Sequence, residues 1–215
     1  MNSLIKTNDG SYSILNNSID ESYHSKHGAI AESLYVFIQQ GFLQKHLLHK
    51  LSILEIGFGT GLNALLTIKN STKEQSIYYE SLEKHPLTEE LYYSYCKTLN
   101  SENQPICQLL HEYSWEKSHH ITPQFSFRKT RCNLQTFTPT NKFDIIYFDA
   151  FSPRKQPELW TKDIFSKLYS CLNQQGLLVT YCAKGQVKRD LKELGFHVET
   201  LPGPPNKKEM IRAIK

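Results

Sequence analysis

Apolar residues recur along the chain with two periods, one of a half-buried strand and one of a helical face. Residues 11–15 alternate like a short strand after the Asp9-Gly10 turn, and residues 27–41 place Ile30, Leu34, Phe37 and Ile38 on one helical stripe. From residue 51 short apolar runs alternate with helical segments. Residues 51–56, 76–83, 125–132, 143–149 and 176–182 read as strands; residues 62–68, 87–99, 159–172 and 185–194 read as helices. Two last strands, 196–201 and 209–214, flank a Pro- and Gly-rich turn at 202–206. This alternation predicts an α/β fold with a mostly parallel, doubly wound sheet covered on both faces, closed by a hairpin that adds an antiparallel strand. The chain divides into an N-terminal extension, residues 1–50, and a main domain, residues 51–215, with no internal repeat or low-complexity tract.

Composition narrows the class. With 215 residues, 39% hydrophobic and 21% charged, the chain suits one soluble domain of the larger kind. No apolar run approaches about 18 residues, so no membrane partner is expected. Residues 1–10 lack the features of a signal peptide, which predicts a cytoplasmic protein. Five widely spaced cysteines without a CxxC pair read as reduced thiols, and the histidine spacing predicts no metal site. Charge is uneven. Residues 1–180 balance 17 basic against 17 acidic side chains, so the +4 surplus lies wholly in residues 181–215, which hold Lys184, Lys188, Arg189, Lys207 and Lys208. Such a segment suits a polyanionic partner, with a merely solvated face as the alternative.

Candidate chemistry gathers where strands end. Leu54-Glu-Ile-Gly-Phe-Gly-Thr-Gly-Leu-Asn63 hands the first main strand to the first helix, where doubly wound folds bind nucleotides. Leu62 stands where a GxGxxG pyrophosphate fingerprint needs its last glycine, which favours an adenosine ligand such as S-adenosylmethionine over a dinucleotide. A tight turn without a ligand is the alternative. Glu83 ends the next strand, where an acid can accept ribose hydroxyls, whereas Glu80 faces the other side by alternation. Glu55 is a carboxylate in an apolar run; buried, it needs a partner, and it could hold loop amides or the amino end of the ligand. In Phe143-Asp-Ile-Ile-Tyr-Phe-Asp149 only Asp149 lies at the edge shared with the glycine loop and Glu83, which makes it the candidate for chemistry and Asp144 the structural acid. Phe151, Pro153 and Trp160 could wall a pocket for a flat base, or belong to the core.

These residues resemble the bacterial methyltransferases that complete 5-methylaminomethyl-2-thiouridine at the tRNA wobble position, the MnmC methyltransferase domain and its free-standing form. The matching segments, in order, are Asp9-Gly-Ser11, Tyr23-His-Ser25, the glycine loop, Ser81-Leu-Glu83, Tyr147-Phe-Asp-Ala-Phe-Ser-Pro153 with Gln156-Pro-Glu-Leu-Trp160, Val179-Thr-Tyr-Cys-Ala-Lys-Gly185, and Leu201-Pro-Gly-Pro-Pro-Asn-Lys-Lys-Glu-Met210. The resemblance implies a Rossmann-like class I methyltransferase domain, S-adenosylmethionine as co-substrate without flavin or metal, and the anticodon wobble uridine of tRNA as acceptor. It implies that Glu55, Gly57, Phe58, Gly59, Gly61, Asn63 and Glu83 bind the donor and that Asp149 faces the acceptor amine. Two positions depart from the pattern. Cys132-Asn133 stands where relatives place an acid near the adenine, so Asn133 would bond as an amide; Asn206 replaces a turn glycine, and asparagine tolerates positive φ. The chain holds no flavin oxidoreductase half, so a separate enzyme is expected to supply the aminomethyl precursor.

Methyl transfer needs a neutral amine lone pair aligned with the sulfonium methyl. An aspartate near its ordinary pKa of about 3.9 is a weak base for a lysine-like ammonium, so orientation is the role expected of Asp149. An aminopropyltransferase, another small-amine methyltransferase and a non-catalytic adenosine-binding module are the competing readings.

Overall fold

A computed structural model describes residues 2–215. The main sheet has eight strands in the order β10-β11-β9-β8-β4-β5-β7-β6. Its centre is β4 (Lys50–Ile56), paired in parallel with β5 (Ser76–Glu83) on one side and β8 (Phe143–Phe148) on the other; β7 (Phe125–Arg131) and β9 (Leu172–Thr180) extend it, also in parallel. Both margins turn antiparallel, through β6 (Ser118–Thr122) at one and the β10 (His197–Pro202) and β11 (Glu209–Ile214) hairpin at the other.

Strand alternation sends side chains into two cores. Leu51 and Ile53 of β4 join Ile145 and Tyr147 of β8 under α2 (Leu62–Asn70) and α4 (Asn103–Glu112), while Leu54, Ile56, Ile146 and Phe148 meet α5 (Lys162–Cys171) and α6 (Gly185–Glu193) on the other face. Central strands buried on both faces read as continuous apolar runs, which is why β4 and β8 were visible in the sequence. Asp144, at the start of β8, accepts from the Ser52 N–H at 2.8 Å and Asn173 Nδ2 at 2.7 Å, and so braces the edge opposite the glycine loop.

The first fifty residues hold a separate sheet of β1 (Ser3–Lys6), β2 (Tyr12–Asn16) and β3 (Glu21–Ser22), followed by α1 (Ala29–Ser33). The single helix expected over 27–41 starts as α1 and winds on as a π-helix, Leu34–Gln39, in which Val36, Phe37 and Ile38 are buried in succession. Asn206 adopts φ 67°, so the turn before β11 keeps the left-handed geometry in glycine's absence.

One expectation is overturned. Cys96, the last residue of α3 (Glu89–Cys96), and Cys107 of α4 are joined in a disulfide with Cα atoms 5.8 Å apart, leaving Cys132, Cys171 and Cys182 as free thiols. The sequence spacing gave no hint because α3 and α4 pack side by side, a pairing set by tertiary structure. Among the described residues no helix is long and apolar enough to cross a membrane.

Candidate active site

The carboxyl ends of the parallel strands surround a cavity of about 400 Å³, a size usual for small-molecule sites. Its walls include Gly57, Phe58, Gly59 and Asn63 after β4, Glu83 at the end of β5, Asn133 after β7, and Asp149 and Phe151 after β8. It sits where the chain order reverses beside β4, the crevice in which doubly wound folds take their ligands.

The loop after β4 requires glycine for space and for conformation. Gly57 has φ 94°, and a Cβ there would stand 2.6 Å from the Asp149 carbonyl; Gly59 has φ 50°, and a Cβ there would meet the Tyr23 ring at 2.8 Å. These glycines draw the β4 loop against the β8 loop and leave backbone facing the cavity. Glu83 accepts from the Gly59 N–H at 3.0 Å through one oxygen and from the His85 N–H at 2.8 Å through the other. Its carboxylate thus stands fixed at the cavity wall, ready for hydroxyl donors on its remaining lone pairs. Asn133 lines the wall through an Asx turn to the Gln135 N–H at 3.3 Å.

Asp149 is held by Asn63, whose Nδ2 donates to it at 2.8 Å. Burial pushes its carboxyl up to about 7, against the Asn63 hydrogen bond, which lowers it. The weak base expected from an ordinary aspartate pKa is therefore a group that titrates near neutrality.

Glu55 and Gly61 lie outside the cavity wall. Glu55 is fully buried; Ser81 Oγ donates to it at 2.6 Å, and burial pushes it up to about 8, so it is protonated at neutral pH. Its Oε1, the Asn63 Oδ1 and the Tyr79 hydroxyl are all buried without a close hydrogen bond among the described residues, and both Tyr79 and Asn63 face the Glu55 carboxyl. With the Asn63 nitrogen donating to Asp149, its oxygen is left towards Glu55, where a protonated carboxyl can donate to it. Gly61 caps α2 at φ 74°. Glu80 bonds Tyr78 and Thr130 away from the cavity. Trp160 belongs to the core and donates Nε1 to the Phe151 carbonyl at 2.7 Å.

The N-terminal sheet supplies wall residues that strand patterning did not reveal. Asn16, Ile19 and Tyr23 line the cavity, and the Tyr23 ring stands edge-on to Phe151 at 4.9 Å. Glu21 latches this sheet down, accepting from the Ser152 N–H and Oγ, each at 2.8 Å. The motif around Tyr23 marked this region, but no periodicity ties a short hairpin to a loop more than a hundred residues away. Three of the eight cations of the basic segment are paired: Lys188 with Glu209, Arg212 with Glu199 and Lys207 with Glu32, the last acid alone coming from outside the segment. Lys184 and Lys208 are exposed with no ion-pair partner among the described residues.

Comparison with known proteins accords with this geometry. The chain is 30% identical over 209 residues to the tRNA 5-methylaminomethyl-2-thiouridine biosynthesis bifunctional protein MnmC of Hydrogenovibrio crunogenus, a match covering 89% of this chain and 31% of that protein. The MnmC of Paraburkholderia xenovorans matches at 29% identity, over 89% of this chain and 32% of its own. The chain thus spans about a third of the length of the curated relatives it matches. The crystal structure of MnmC2 from Aquifex aeolicus superposes with a TM-score of 0.82 at 25% identity, covering 99% of this chain and 69% of that one. Spermidine synthase from Thermotoga maritima, at a TM-score of 0.60 and 13% identity over 99% of this chain and 71% of its own, shares the fold. The family profile described as S-adenosyl-L-methionine-dependent methyltransferase matches residues 102–215, and with the strand-end cavity and its glycine loop it shows that the chain belongs to that family of enzymes.

Proposed function

We propose that this enzyme transfers a methyl group from S-adenosylmethionine to the amine of 5-aminomethyl-(2-thio)uridine at the tRNA wobble position, giving the 5-methylaminomethyl nucleoside. The observation that carries the reading is a half-buried carboxylate, Asp149, held by Asn63 on the wall of the cavity that the glycine loop opens and pushed up to about 7 by desolvation. The similarity to MnmC proteins over 89% of the chain supplies the substrate class. The reaction belongs in the cytoplasm, on tRNA whose wobble base another enzyme has brought to the primary amine. Residues 51–215 carry the chemistry, and Asn16, Ile19 and Tyr23 of the N-terminal extension help to wall the site.

The donor supplies an electrophilic methyl on a sulfonium. Gly57, Phe58 and Gly59 leave room for it, Glu83 accepts its ribose hydroxyls, and the Asn133 amide contacts the adenine. Gly61 keeps α2 in place behind them, and Glu55 acts through Asn63. Asp149 draws in the acceptor ammonium by charge. An aspartate titrating near 7 is also matched to accept a proton from that ammonium, whose ordinary pKa of about 10 would otherwise leave the lone pair occupied. The aromatic edge of Tyr23 and Phe151 forms a wall on which a flat base can rest.

Incubation of the protein with labelled donor and either tRNA bearing the aminomethyl intermediate, a diamine, or no acceptor tests the reaction. Label is expected in tRNA alone. Label in the diamine, or donor binding without turnover, would contradict it.

A further inference from the structure

Behind Asp149, outside the donor cavity, lies a charged cluster drawn from four parts of the chain. Glu32 of α1 is 7% exposed; one carboxylate oxygen accepts from the Ser25 N–H at 2.8 Å and the other pairs with the Lys207 ammonium. Lys207 comes from the turn between β10 and β11, and its Nζ lies 4.0 Å from the centroid of the Tyr181 ring. Tyr181, just past the end of β9, donates its hydroxyl to the carbonyl of Ala150, the residue after Asp149, at 2.9 Å.

The turn is built to hold Lys207 in place. Its N–H donates to the Pro204 carbonyl at 2.9 Å, and Tyr35 from the π-helix donates to the Pro202 carbonyl at 3.0 Å. Asn206 takes the left-handed conformation beside it, and a Cβ on Gly203 would collide with the Lys207 carbonyl at 2.4 Å. A lysine needed only for solubility would not require such a mount.

We propose that Lys207 and Glu32 are positioning residues for methyl transfer: the Lys207 ammonium, seated between Glu32 and the Tyr181 ring behind the Asp149 loop, offsets the charge of Glu32 and so leaves the Asp149 carboxylate available to the acceptor ammonium. This rests on the reading of Asp149 as the group that faces the acceptor. The groups facing Asp149 are Asn63 from α2, Glu55 from β4, Tyr79 from β5, Tyr181 after β9, Glu32 from α1 and Lys207 from the turn. At neutral pH Glu55 is protonated and burial holds both tyrosines un-ionised, so Glu32 and Lys207 are the full charges that Asp149 feels. Two carboxylates in a poorly hydrated pocket disfavour each other's ionisation, and a cation beside them reverses that effect. Loss of Lys207 therefore raises the Asp149 carboxyl further, lowers its ionised share at neutral pH and blunts both ammonium capture and proton acceptance.

The test uses Lys207→Gln, Glu32→Gln and Lys207→Arg, with two readouts: the acid limb of the kcat/KM pH profile, and a carbon-13 NMR titration of the Asp149 carboxyl. Lys207→Gln is expected to move both upward by about one pH unit, the lower end of what a neighbouring opposite charge contributes. Glu32→Gln should move both downward, and Lys207→Arg should restore them. If Lys207→Gln fails to fold, Glu32→Gln carries the same test with the opposite sign. Loss of turnover at every pH with the limb and the titration unmoved would overturn the proposal and leave Lys207 as a turn or tRNA contact. An active Asp149→Asn would remove the role given to Asp149 instead. The NMR titration is independent of turnover and keeps the two outcomes apart.

Discussion

At the scale of single residues, the sequence located the acids of the site but not their protonation. Asp149, Glu83 and Asp144 were separable because strand position alone decides which edge each occupies, and the structure puts each at the edge expected. Burial was not legible; it lifts the Asp149 carboxyl towards neutrality and sets Glu55 behind the cavity wall as a fully buried acid. Glu55 has a folded pKa of about 8 against an ordinary value of 4.5, so between these the folded state holds the extra proton and stability falls as pH rises. Glu55→Gln mimics the protonated acid; it is expected to flatten the decline in Tm between pH 5 and pH 8 and to retain turnover. An unchanged decline would show Glu55 ionised. Asp149→Ala should cut turnover by at least about a hundredfold, as loss of a general base does, with a much smaller change in donor affinity by calorimetry. A donor affinity falling in step with turnover would place Asp149 on the donor instead.

At the scale of elements, the core strands announced themselves and the marginal ones did not. β4 and α2 are set off by the glycine loop between them, and β8 stands out by its apolar run alone. β1 and β6 are short and half exposed, and β6 carries the adjacent His119 and His120, so neither shows a clean alternation. α4 has Ile106, Leu109 and Leu110 on one stripe, but Pro105 near its start reads as a breaker until its place in the first turn is known. The disulfide between α3 and α4 belongs to this scale as well. Cys107 also lies 4.0 Å from the Thr60 carbonyl, so the pair buttresses the glycine loop from behind. Alkylation in denaturant without reductant should label Cys132, Cys171 and Cys182 only, read by mass spectrometry; five labelled cysteines would refute the bridge.

For the molecule as a whole, the charge asymmetry of the sequence survives almost intact, because Glu199 and Glu209 are already counted within the C-terminal segment and only Glu32 draws on its surplus from outside. Composition counts charges but cannot show which are paired. Lys184, Arg189, Lys192 and Lys208 are exposed cations of this segment outside the ion pairs of the described residues, and replacing each by Gln should lower the salt slope of tRNA binding by about 0.7 to 0.9 for every phosphate no longer neutralised. An unchanged slope and affinity would leave this face merely solvated. The central claim is the acceptor, an unsubstituted aminomethyl group. An amine already bearing carboxymethyl would bring a second carboxylate towards Asp149 and Glu32, where like charges in a partly dry pocket repel. The most direct measurement gives the purified protein S-adenosylmethionine and two tRNA pools, one ending at the aminomethyl and one at the carboxymethylaminomethyl wobble nucleoside, and reads the nucleosides by mass spectrometry. A gain of one methyl in the aminomethyl pool alone is predicted; equal methylation of both pools, or of the carboxymethyl form only, would contradict it.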